Sequence, residues 1–302
     1  MRKILLSALA LCIALCVSCK KDNNNGGSVS PTIKKVLKDT YGNCNSTTYI
    51  SEDQENWELI DEEEIDNALF RDYIYDGDKL IVMKQNYFDD FYGWTDSISY
   101  SEDGLVTQII DYYWLQGHDP DRNKYELVYD NGLITKINCY YEGDNLGSYY
   151  DYYYTDNKLS KVVYTYIESD KAPKHHRNKK FNHRDIIYCT EITWTGDNVT
   201  QIKETGENWE YIATYDYDNK NNPYIENDAL VAYSYISLDF ASLSKNNVTL
   251  YSTNFGDNVM YSYEYKDNYP SEEEFCYEDI YDDYGIWFKD NETFHYYLNY
   301  KQ

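Results

Sequence analysis

The chain has 302 residues, 53 of them Asp or Glu and 27 Lys or Arg, for a net charge of −26. Phosphate backbones need a basic footprint, so this balance excludes a nucleic-acid partner. The charged residues fall on both strand phases, which argues against a barrel whose outer face meets lipid, because that face must be apolar.

Taken in chain order, residues 1–18 form a secretory signal. Arg2 and Lys3 give a basic start, and Ile4 to Val17 is an apolar run too short to span a bilayer. The run ends at Val17-Ser18-Cys19, which resembles a bacterial lipobox, with Cys16 at the position usually held by Leu. Cys19 is therefore the expected lipid attachment site, and an outer-membrane lipoprotein, on its periplasmic or cell-surface side, is the expected location. Residues 19–33 are polar apart from Val29 and read as a disordered tether. Residues 34–302 form a single β domain. Within it the pattern before Arg71 is weak. Trp57 to Ile60 reads as a strand, and Asp61 to Phe70 as a short helix with acidic residues in its first turn.

A repeat governs the next part of the chain. Ile134-Thr135-Lys136-Ile137 follows the Asn131-Gly132 turn, and Asn-Gly suits the two-residue turn of a hairpin. The same core recurs as Val106-Thr107-Gln108-Ile109, Leu159-Ser160-Lys161-Val162 and Val199-Thr200-Gln201-Ile202. Leu80-Ile81-Val82-Met83 is an earlier variant, and Val248-Thr249-Leu250-Tyr251 a later one. Most copies follow a Gly, Asn or Asp turn preceded by Tyr or Trp. The regular spacing marks a repeat architecture. The apolar positions lie three apart, which on an unbroken strand puts them on opposite faces. The expected fold is all-β, an antiparallel up-and-down meander of repeated hairpins curled into a barrel-like sheet, with about 12 to 16 strands and little helix. Asp218 to Tyr224 is a turn-rich break, 229–245 is the best place for a short helix, and strands resume at 248–253, 259–266, 273–279 and 293–300.

The 38 tyrosines suit cross-strand aromatic pairs. After Cys19 the cysteines are Cys44, Cys139, Cys189 and Cys276, with no Cys-x-x-Cys, so zinc is not expected and free thiols are favoured. Trp94 and Trp114 lie beside acidic and amide residues, a combination suited to holding sugars. The segment Glu168 to Asp185 is the one basic island and carries His175, His176 and His183. Its first two histidines are the candidate contacts for an anion or a protein partner. Asp119 to Asn123 has the alternating oxygens of a calcium loop, but Lys124 stands where that loop needs Gly, so a polar turn is expected. Ser242-Leu243-Ser244-Lys245 matches a nucleophile motif without its partners. No catalytic residue, metal or cofactor is assigned.

The repeat, the Asp218 to Tyr224 segment, Ser244 to Thr249 and Tyr263 to Pro270 together resemble a lipoprotein family of Bacteroides and its relatives, domain of unknown function 4595. They are more distantly similar to the Tyr-Asp repeats of Rhs-type proteins. That resemblance implies a porin-like fold and an envelope lipoprotein, and it carries no catalytic residues. Glu272 to Glu274 depart from it and put the register of the last hairpin in question. The functional expectation is a non-enzymatic scaffold, anchored to the membrane by its lipid, that binds a glycan or an envelope protein. The rivals are a glycan or peptidoglycan hydrolase built on a carboxylate pair, and a membrane-inserted barrel.

Overall fold

The structure, a computed structural model, describes residues 35–51, 55–66, 69–87, 92–117, 121–141, 145–167, 187–256, 258–283 and 286–301. The signal segment, the tether, Cys19, His175 and His176 lie outside these residues. Among the described residues, seventeen strands follow in order. They are β1 (Lys35–Ser51), β2 (Glu58–Asp66), β3 (Leu69–Asp76), β4 (Lys79–Tyr87), β5 (Tyr92–Tyr100), β6 (Val106–Leu115), β7 (Asp121–Asp130), β8 (Leu133–Tyr141) and β9 (Asn145–Thr155). After them come β10 (Lys158–Tyr166), β11 (Ile187–Thr195), β12 (Asn198–Thr205), β13 (Glu210–Tyr217), β14 (Val248–Thr253), β15 (Asn258–Lys266), β16 (Tyr269–Asp283) and β17 (Ile286–Lys301). A single α-helix is described, α1 (Asp228–Ser237), between β13 and β14.

From β3 to β17 each strand pairs antiparallel with the next, as the hairpin reading requires. β17 then pairs along the length of β1, whose other edge pairs with β2 and, over three residues, with β3. The expected helix over Asp61 to Phe70 is not formed. β2 and β3 run in the same direction along β1, which satisfies their backbone groups in a way an isolated short helix with six acidic residues in 58–66 could not.

The repeat has a specific meaning in this sheet. In seven strand pairs the residue after the first apolar position is an extra residue in the ladder: Ile81, Thr107, Thr135, Ser160, Thr200, Thr249 and Ser271. Each is a β-bulge, and a bulge shifts the side-chain phase by one. The two apolar residues three apart therefore point to the same side. Val106 and Ile109, Ile134 and Ile137, Leu159 and Val162, and Val199 and Ile202 are all buried. This corrects the expectation of opposite faces. The Thr or Ser preference follows too. In five of the bulges its hydroxyl donates back across the hairpin: Thr107 to the Ser99 carbonyl, Thr135 to Val128, Ser160 to Tyr153, Thr200 to Thr193 and Ser271 to Glu264. The Ser271 bond shows that the β15–β16 hairpin keeps the register of the others despite Glu272 to Glu274.

The aromatic positions complete the unit. Tyr100, Tyr154, Trp194, Tyr217, Tyr263 and Tyr300 donate to the carbonyls of Leu80, Ile134, Leu159, Val199, Val248 and Pro270, at 2.6–2.8 Å. Each acceptor is the residue just before a bulge, where the ladder is interrupted and a carbonyl would otherwise be left over. Asn131 and Gly132 take positive φ, as a two-residue hairpin turn demands.

The two-residue turns at 77–78, 131–132, 156–157, 196–197 and 267–268 share one end of the sheet, and 218–247 enters from there. Asn227 starts α1 by accepting from the Ala229 and Leu230 amides, and Leu238 ends it in a left-handed conformation. The helix is apolar on most sides, as a buried helix should be. Ala229, Leu230 and Ala232 join Phe240 and the inward residues of β3–β13 in one core. Bonds reach the segment from well-separated strands: Asn227 donates to the Tyr75 hydroxyl, Tyr152 donates to the Tyr235 carbonyl, and Ser244 accepts from the Val199 amide. The segment is thus a plug on the inner face of the sheet.

The outer face carries ion pairs. Lys124 pairs with Glu126 at 3.1 Å, Lys136 with Asp151 at 3.3 Å and Lys203 with Glu210 at 2.6 Å. A lipid-facing band tolerates such groups only at a cost of about 2–4 kcal/mol each for the basic ones near the bilayer centre, so this wall is a poor lipid face.

Candidate functional site

The plug does not fill the inner face. Between it and β3, β4 and β13–β17 lies a cavity of about 640 Å³. Its walls are tyrosine-rich, with Tyr73, Tyr215, Tyr251, Tyr261 and Tyr263 from the sheet and Tyr233 from α1. Burial pushes the Tyr215, Tyr261 and Tyr263 hydroxyls well above their ordinary range, reinforced for the first two by the Asp239 carboxylate and for the last two by Glu273. These phenols stay neutral and act as hydrogen-bonding groups on apolar plates. Among them sit Arg71, whose guanidinium donates to the Gln85 amide oxygen, and two carboxylates, Asp239 and Glu273. Ser242 donates to Asp239. Alternating aromatic faces and convergent polar groups can take a polar ligand with flat apolar faces. Cavities of this size enclose small molecules.

Ser244, from the nucleophile-like motif, is structural. It bridges the Val199 amide and the Tyr217 hydroxyl with its own hydroxyl. Of the Asp119 to Asn123 segment, Asp121 to Asn123 open β7, and Asp119 and Pro120 lie outside the described residues. The groups of histidines and acids that could hold a metal are absent among the described residues.

The two tryptophans singled out from the sequence do not converge. Trp94 pairs across the ladder with Tyr113, in phase with the inward Asp96 and Ile98. Trp114 pairs with Gly93 and so lies on the opposite face of the sheet. Trp94 belongs to an inner aromatic group, 5.8 Å from the Tyr92 ring and 5.3 Å from Tyr113. Sequence reasoning missed both the cavity and the pair below Trp94, Asp96 opposite Asp111. Burial, then the nearby Asp111, pushes the Asp96 carboxyl up to about 8, and burial raises Asp111 as well. The one available signal was an Asp in the inward phase of each of two adjacent strands. It becomes visible only once the register is known.

Cys139 is a buried free thiol pushed up to about 12 by burial, and Cys189 and Cys276 are also free. The Cys44 side chain lies outside the description.

No family model matches the chain, and no curated protein matches it. Among solved structures, it is similar to a porin-like protein from Bacteroides uniformis ATCC 8492, with 11% identity, a TM-score of 0.47, and 86% of this chain and 98% of that chain covered. It is also similar to a porin-like protein from Bacteroides vulgatus ATCC 8482, with 13% identity, a TM-score of 0.26, and 84% and 97% covered. The lipoprotein family that the sequence resembles is thus matched by no family model.

Proposed function

We propose that the chain is a non-enzymatic β scaffold of the cell envelope, tethered through Cys19 to the outer membrane, whose inner cavity holds a carbohydrate. The observation that carries this reading is the tyrosine-walled cavity of about 640 Å³ with Arg71, Gln85 and Asn222 among its polar groups. Sugars present apolar C–H faces and a rim of hydroxyls, and this lining offers a counterpart to each. The charged outer wall supports a tethered domain in water over one embedded in lipid.

The test is a glycan array on the full chain, repeated with Tyr261→Ala and with Ser237→Trp, which fills the cavity from the end of α1. Glycan binding that both variants abolish supports the reading, and binding unchanged in both defeats it. One observation favours a second reading, hydrolysis: Asp239 and Glu273 line the same cavity. Release of reducing ends from a bound glycan, lost in Glu273→Gln, would convert the scaffold into an enzyme.

A further inference from the structure

The inner wall of β5–β7 holds a second, separate arrangement. In register across the strands, Trp94 faces Tyr113, Asp96 faces Asp111, and Asp111 faces Asn123. Side chains directly opposite one another have Cβ atoms about 5 Å apart, so the two carboxyls share one spot. Asp96 is 3% exposed, and no described residue gives it a hydrogen bond. The Oδ1 atom of Asp111 is buried with no donor, and its Oδ2 receives only a 3.5 Å contact from the Asn123 amide. Buried carboxylate oxygens are almost always satisfied, so Asp111 Oδ1 is an exception that calls for a donor.

We propose that this wall binds the primary ammonium group of a small amine, with the ammonium donating to Asp111 Oδ1 and Asp96 and its alkyl part lying against Trp94 and Tyr113. The alternatives fit less well. A divalent metal needs more ligands than two acids and an amide, and no group of three or more metal-binding His, Cys, Asp or Glu occurs among the described residues. A quaternary ammonium has no N–H to satisfy Oδ1. The charge also suits a monocation. Burial, and then the nearby Asp111, raises the Asp96 carboxyl to about 8, so near neutral pH Asp96 does not add a second full negative charge beside Asp111. Other groups facing the pair are the Tyr125 hydroxyl, itself raised by burial and by Asp111, and the uncharged Met83 side chain opposite Asp96 on β4. Above the pair, toward the rim, the rings of Trp94, Tyr113 and Tyr92 provide faces that attract a cation.

The experiment is calorimetric titration of the full chain at pH 7 with butylammonium chloride, with 1-butanol as the neutral isostere and potassium chloride as the inorganic cation. Butylammonium is expected to bind, and neither control is. Asp111→Asn keeps the side-chain shape and is expected to weaken binding about tenfold or more. Trp94→Leu leaves both acids in place and is expected to weaken it about threefold. Wild-type binding should tighten from pH 7 to pH 9 as Asp96 loses its proton, while Asp96→Asn should show no such trend. Absence of butylammonium binding, equal binding of 1-butanol, or binding by Asp111→Asn at wild-type strength each overturns the proposal. Potassium binding in place of the amine would overturn the ligand class.

Discussion

The two polar regions of the interior differ in how far their groups are satisfied. At the tight-turn end, Asp218 accepts from the Lys220 and Asn247 amides and from the Tyr265 hydroxyl. Asn222 donates to the Ser242 and Ser244 carbonyls and accepts from the Tyr224 amide. Lys245 and Asn221 bond the turns at Asp197 and Asn268. Polar residues buried there hold the plug in place. On the β5–β7 wall, Asp96 and Asp111 are buried with almost nothing to meet them. A low-dielectric interior rewards a completed network and penalises an incomplete one. The first region therefore stabilises the fold, and the second costs it stability.

Breaking the satisfied region should have the largest effect. Asn222→Leu strands two carbonyls and an amide at the base of the plug. It is expected to lower stability by about 3 kcal/mol in urea unfolding, with early loss of the plug seen in hydrogen exchange at α1.

The incomplete region should respond in the opposite direction, and with pH. Asp96 has a folded-state pKa of about 8, above its usual value of 3.8. The folded chain therefore holds a proton that the unfolded chain releases between those values, and stability falls as pH rises from about 4 to 8. Asp96→Asn is expected to raise stability at pH 9 by roughly 2 kcal/mol and to flatten this slope, measured as the urea midpoint at pH 5, 7 and 9. A variant less stable than wild type at pH 9 would contradict the contrast between the regions.

The repeat itself should give the smallest effect. Thr135→Val removes the bulge hydroxyl bonded to the Val128 carbonyl but keeps the β-branched shape. A loss of about 1 kcal/mol is expected in the same unfolding assay, because the carbonyl at that exposed hairpin can turn to water.

Much of the architecture was legible in the residues. Turn, bulge and aromatic are local events. Asn131-Gly132 bends the chain, Thr135 closes its own bulge, and Tyr154 covers the carbonyl of Ile134 within 20 residues. Such short-range chemistry repeats with the sequence, so the all-β meander, the helix near 229–245 and the strand at Val248–Thr253 could be read directly. Periodicity misled at the bulge, because one extra residue reverses the phase on which face assignment depends. It misled also at Asp61 to Phe70, where the pairing partner, β1, determines the backbone state.

The functional features belong to tertiary structure. Trp94 and Trp114 looked equivalent until register placed them on opposite faces. Arg71, Tyr233, Tyr261 and Glu273 come to one cavity from β3, α1, β15 and β16, over 200 residues of chain. Asp96 and Asp111 are ordinary acids in the sequence, and only cross-strand pairing and burial bring them together and raise the Asp96 carboxyl. Local hydrogen-bonding preferences are encoded within a few residues, whereas desolvation and long-range proximity exist only after the sheet has curled and the plug has entered.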